Sequence, residues 1–195
     1  MSIPRGGLYP VRSLGGGQAF QTERFPKETG AGDASLLYVG DPVRLVSGKI
    51  IRYTTGDASA NAAPPVLGVV ARILVDEAGR PRVHGLPDQH PNISLTAQAD
   101  WVDVYCDPAT VFSARIAGSA TNELVDSALQ VAATARVTAA WISGSLLNAT
   151  AVSGDRGPFL VVGVSNFDLD GGGSDAAGRA EVIVNYSLRK VVLDT

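Results

Sequence analysis

Pro42-Val43-Arg44-Leu45-Val46-Ser47-Gly48-Lys49-Ile50-Ile51-Arg52-Tyr53-Thr54 is the stretch on which the fold turns. Two short runs rich in valine and isoleucine flank Ser47-Gly48, a two-residue link of the kind that closes a β-hairpin. The same grammar continues on either side. Val66 to Val75 is a long apolar run with Gly68 as a possible bulge, and Pro64-Pro65 stops any ladder ahead of it. Asp100 to Cys106 alternates: Val102, Val104 and Cys106 share one face, and Trp101, Asp103 and Tyr105 the other. The first set reads as core, and the second as a rim or subunit interface.

Further strands are expected at 111–116, 137–142, 159–165, 180–187 and 190–193. In the fourth of these, Ala180, Val182, Val184 and Tyr186 oppose Glu181, Ile183, Asn185 and Ser187. One short helix is expected over Thr121–Leu129, with Thr121 as N-cap and Leu124, Val125, Ala128 and Leu129 on one side. Seven to nine strands and one helix define an all-β chain, a barrel or a sandwich.

Residues 1–35 read differently. Their apolar residues follow no sustained period, and proline and glycine interrupt them. Arg5, Arg12, Arg24 and Lys27 outnumber Glu23 and Glu28 over residues 1–32, so that stretch carries +2 and the remainder −5 of a net −3. The expectation is an extended, weakly basic arm dotted with Tyr9, Phe20 and Phe25, followed by one β-domain over 36–195. An irregular insertion at about 79–99 holds both histidines.

Composition narrows the function. The 195 residues are 45% hydrophobic but only 6% aromatic and 18% charged. The charged fraction is below the roughly 25% usual for soluble domains, as expected where surface is shared with other subunits or where Gly, Ser and Thr loops occupy it. A single cysteine, Cys106, excludes an intramolecular disulfide. Acids outnumber Lys and Arg by 19 to 16, which argues against bulk nucleic-acid binding. No apolar run is long enough for a membrane helix, and the first residues lack the apolar middle of a secretory signal, so no membrane partner is expected.

Candidate chemistry is thin. Asp168, Asp170 and Asp175 suggest a calcium loop, but Gly172 and Arg179 occupy positions that need oxygen ligands. His84, Asp88 and His90 lack a further strong ligand nearby, so no metal is assigned. Cys106 lies among valines and reads as a small buried hydrophobe rather than a nucleophile paired with His84. Gly15-Gly16-Gly17 is followed by neither a helix nor a Lys–Ser/Thr pair, and the GxSxG and HExxH patterns are missing. Trp101, Tyr105 and Trp141 would suit stacking on sugars or bases, or an interface. No catalytic residue, cofactor or enzymatic activity is expected.

One resemblance spans most of the chain. Pro4-Arg5-Gly6, Tyr9-Pro10-Val11-Arg12 and Gly15-Gly16-Gly17 are followed by Arg24-Phe25-Pro26 and by Tyr38-Val39-Gly40-Asp41-Pro42-Val43-Arg44-Leu45. Val66-Leu67-Gly68-Val69-Val70 and Asp107-Pro108-Ala109-Thr110-Val111-Phe112 come next in order. This series resembles the capsid decoration, or cement, proteins of tailed bacteriophages. The resemblance implies a structural virion protein on the outer surface of an icosahedral capsid, bridging neighbouring subunits of the major capsid protein. On that basis Arg5, Tyr9, Arg12, Phe20, Arg24 and Phe25 form a capsid-contact arm. Trp101, Asp103 and Tyr105 mediate self-association, as a trimer. Deleting residues 2–30 is then expected to abolish head binding while the β-body still folds. The alternative is a tail or fibre subunit whose aromatics bind host glycans.

Overall fold

A computed structural model describes residues 7–16, 20–28, 37–54, 64–75, 89–90, 101–117, 122–132, 143, 145–149, 157–165 and 178–185. These residues form an all-β sandwich of two main sheets. The strands are β1 (Leu8–Ser13), β2 (Thr22–Pro26), β3 (Leu37–Tyr38), β4 (Pro42–Val46), β5 (Lys49–Arg52), β6 (Gly68–Val75) and β7 (Gln89–His90). They continue as β8 (Trp101–Tyr105), β9 (Thr110–Ala117), β10 (Ala128–Leu129), β11 (Leu147–Asn148), β12 (Phe159–Ser165) and β13 (Arg179–Val184).

The first sheet runs β1-β9-β13-β12-β10, with β11 parallel to β9. Its inner face is set by strict alternation: Phe112, Ala114 and Ile116 on β9, and Ala180, Val182 and Val184 on β13. Against them pack Tyr53, Val66 and Val69 from the other layer. Fully burying side chains of this size contributes about 1.5–3 kcal/mol each, so this layer contact dominates the favourable side of folding.

The second sheet runs β2-β8-β6-β4-β5, and its two edges meet. Lys27, just past β2, bridges Ile50 of β5, and the Glu28 backbone N–H donates to the Ile50 carbonyl at 2.9 Å. The sheet is therefore rolled, with a second core of Val43, Ile50, Val70, Val102 and Val104, capped by Leu37 and Leu67. Val69 and Val70 are each fully buried on opposite faces of β6, which is why that strand reads as an uninterrupted apolar run. Cys106 packs against the inner core of the rolled sheet.

The deciding hairpin forms in the expected register, Val46 opposite Lys49. Ser47 (φ 49°) and Gly48 (φ 78°) are both left-handed, as a type I′ turn requires. Gly68 is needed for a different reason than a bulge. A Cβ there would overlap the Tyr105 carbonyl oxygen, so glycine permits close approach of β6 to β8. The register shifts between these strands lie farther along, between Val70 and Arg72 and between Ile73 and Val75.

Two expectations are corrected. The helix over Thr121–Leu129 is a single 3₁₀ turn, Asn122–Leu124, followed by β10. Asp126 takes φ 65°, the Ser127 N–H closes on the Leu124 carbonyl at 2.9 Å, and Leu129 is buried as the partner of Phe159. Nine residues give too little helix to nucleate alone, and the strand register with β12 prevails.

The arm does not stand apart either. Its described parts are β1, paired with β9, and β2, paired with β8. Leu8 is buried in the first core, and Phe25 packs against the second. Removing residues 2–30 would strip a strand from each layer, so the β-body is not expected to survive that deletion. Within the insertion, β7 returns to pair with β3. Arg5, Trp141, the expected strands at 137–142 and 190–193, and the 168–175 loop lie outside the described residues.

Candidate functional site

Three neighbouring strands of the rolled sheet place charges in one cross-strand row. Arg24 on β2 and Arg72 on β6 both lie opposite Asp103 on β8. Arg24 Nε donates to Asp103 Oδ1 at 3.0 Å, and Arg72 Nη2 donates to Oδ2 at 3.1 Å. The carboxylate is only 10% exposed, whereas the two arginine side chains are 55% and 66% exposed. Ion pairs with such exposed partners contribute about 0–1 kcal/mol each. Their main effect is to fix where two guanidinium groups stand.

Two residues along β8, Tyr105 lies opposite Thr22. Its ring meets Phe20 edge-on at 6.0 Å between centroids and Phe112 at 6.1 Å, so an aromatic chain runs from the main core to the surface. Phe20, Thr22, Ala71, Arg72, Asp103 and Tyr105 line a pocket of about 300 Å³. Burial pushes the Tyr105 phenol above its ordinary value, against the pull of Arg72, so it is a neutral hydroxyl at pH 7. At the other end of β8, Trp101 is 42% exposed.

The residues expected to form an arm and those expected to mediate self-association thus divide differently. Phe20 and Arg24 join Asp103 and Tyr105 in one surface. Phe25 turns toward the inner core. Tyr9 and Arg12 sit on β1 in the other sheet, where Arg12 Nε and Nη2 both donate to Glu181 Oε2, at 3.0 and 2.7 Å. Sequence reading missed Arg72. Its signal is a lone cation within Val69-Val70-Ala71-Arg72-Ile73, an otherwise apolar strand.

A second polar cluster, also missed, lies between the layers. Asp41 is buried; its Oδ2 accepts from the Tyr38 backbone N–H at 2.9 Å. Its Oδ1 accepts from the Ser143 hydroxyl at 2.5 Å and the Ser145 hydroxyl at 2.9 Å. Burial raises the Asp41 pKa, opposed by the charge of Arg52 and by these hydrogen bonds. Gly40, at φ 89°, makes the turn, and its carbonyl accepts from Leu8 N–H at 2.9 Å. The cluster ties β1, the β3–β4 turn and the residues Ser143 and Ser145 together. Its signal is Gly40-Asp41-Pro42 combined with Ser143 and Ser145.

Among the described residues, no group of three or more His, Cys, Asp or Glu side chains could hold a metal ion. No described helix is long and apolar enough to cross a membrane.

No protein-family model matches the chain, and no curated protein matches it in sequence. Among solved structures it is similar to the pre-mature bacteriophage phi29 gene product 12, at 15% identity and a TM-score of 0.36. The match covers 92% of this chain and 22% of that one, so the chain spans well under half of that protein's length. A likeness of this size carries no argument about function.

Proposed function

We propose that the chain is a non-catalytic structural subunit of a phage virion, bound to the outer surface of the icosahedral capsid, where it bridges neighbouring major capsid protein subunits. The ordered motifs quoted above supply the phage resemblance. The observation that carries the docking reading is the Arg24–Asp103–Arg72 row beside Phe20 and Tyr105. The charged donors and the Tyr105 ring are held on paired strands, with Phe20 just ahead of β2, a rigid arrangement suited to recognition. Docking then runs through a face of the body rather than through a detached arm. The exposed Trp101 serves contacts between copies, as a trimer, and repetition over an ordered lattice converts weak contacts into avidity.

The test is the protein's place and copy number in purified particles. A copy number comparable with the shell protein supports the reading, and a few dozen or fewer copies at the tail overturns it. Trp101→Ala is expected to lower the sedimentation coefficient, and an unchanged value would count against Trp101-mediated assembly. The second reading, a tail or fibre subunit binding host glycans, draws on the aromatic walls of the pocket. Glycan-array binding together with a tail location favours it.

A further inference from the structure

Among the described residues, each guanidinium of the row has spent little of its capacity. A guanidinium carries five N–H donors. Asp103 engages Arg24 through Nε and Arg72 through Nη2, while both side chains stay more than half exposed. Two cations and one carboxylate leave a formal charge of +1, which one monoanion balances. A phosphate dianion would overshoot that balance and stand close to Asp103, at a Coulombic cost. The pocket volume, about 300 Å³, sits at the lower limit for ligand sites and suits one large side chain rather than an oligomer. Its walls, Phe20 and Tyr105, offer apolar faces beside the charge, and Phe112 backs Tyr105 from the core. Asp103 also orders the arginines in advance, which lowers the entropy lost on binding.

We propose that the pocket between Phe20, Tyr105 and Arg72 receives a carboxylate flanked by an apolar group, presented by a protein partner as an acidic residue beside an aromatic or aliphatic one. Arg72 grips the carboxylate, Arg24 adds charge from the far oxygen of Asp103, and the two rings take the apolar neighbour. The inference deepens the docking reading and rests on it for the identity of the partner, the major capsid protein.

The probe is N-acetyl-phenylalanine with a free carboxylate, compared with its amide, titrated into the full chain while the Nε–H signals of Arg24 and Arg72 are followed by NMR. The carboxylate is expected to bind at least about tenfold more tightly than the amide, because the charge-assisted bonds exist only in the former. Arg72→Ala is expected to abolish the difference and Arg72→Lys to retain part of it. Equal response to both probes, or none, overturns the inference. So does tighter binding of a methyl glucuronide, which would assign the pocket to an acidic sugar. Decoration of purified heads by Arg72→Ala is scored separately. Undiminished decoration with probe selectivity confirmed in the unaltered chain overturns docking through this pocket and leaves the carboxylate site standing. Lost decoration without probe binding overturns the carboxylate site and leaves docking standing.

Discussion

Asp41 and Asp103 are both buried carboxylates, yet they are put to opposite use. Asp41 spends its oxygens inward, on the Tyr38 amide and the hydroxyls of Ser143 and Ser145, and it joins segments that come from distant parts of the chain. Asp103 spends its oxygens on two arginines that face water. Burial of a charge is costly unless every partner is in place, so the first site fixes the fold and tolerates little change. The second organises a surface and leaves the fold nearly indifferent to it. Depth alone would not have separated them; the exposure of the partners does.

The contrast can be broken most severely at Asp41. Asp41→Ala orphans one buried amide and two hydroxyls. A loss of about 3 kcal/mol is expected in urea denaturation. A loss below about 1 kcal/mol would reduce the two aspartates to one kind. Gly40→Ala should follow at about 1–2 kcal/mol, since φ is 89° and a Cβ would stand 3.2 Å from the Leu8 nitrogen.

Acidity gives a subtler probe. Because burial raises the Asp41 pKa above 3.8, the folded chain releases its proton there at higher pH than the unfolded chain does. This group's contribution is full at pH below the unfolded value and is lost as pH rises through the folded pKa. Asp41→Asn stays neutral, so its stability relative to the unaltered chain should rise as pH climbs from 3.8 through the raised folded pKa. A flat difference across that range would refute the assignment. The smallest effect is expected at the surface: Arg24→Ala with Arg72→Ala should cost about 1 kcal/mol or less in stability while removing docking to heads.

How much of this was legible depends on how local the signal is. The Ser47-Gly48 hairpin, the alternation of β8 and the bounds of β12 at Phe159 and Ser165 all follow from neighbours in sequence. The first two strands do not. Both lie at the ends of their sheets, β1 carries Pro10 and a register shift between Pro10 and Arg12, and the start of β2 is exposed. β1 fully buries only Leu8 and β2 fully buries none of its residues, so neither carries a sustained hydrophobic period and their sequences resemble a tail. The short helix failed because Leu129 is claimed by a partner at Phe159, beyond the reach of any helical window. The row of charges was half legible: alternation put Asp103 and Tyr105 on one face, but only the strand order brings Arg24 and Arg72 to them.

The pairing of the two earliest strands also dictates when the protein can fold. Leu8 finds its place opposite Ala114, and Thr22 opposite Tyr105, so both layers wait for residues synthesised roughly a hundred positions later. Until then, among the described strands, the chain emerging from the ribosome can close the β4–β5 hairpin and the β4–β6 pairing. Topologies dominated by such distant pairings fold in milliseconds to seconds rather than microseconds. Through that interval the valines of β6 and β8 remain uncovered, and crowding with other nascent copies is the hazard to be survived before any particle is reached.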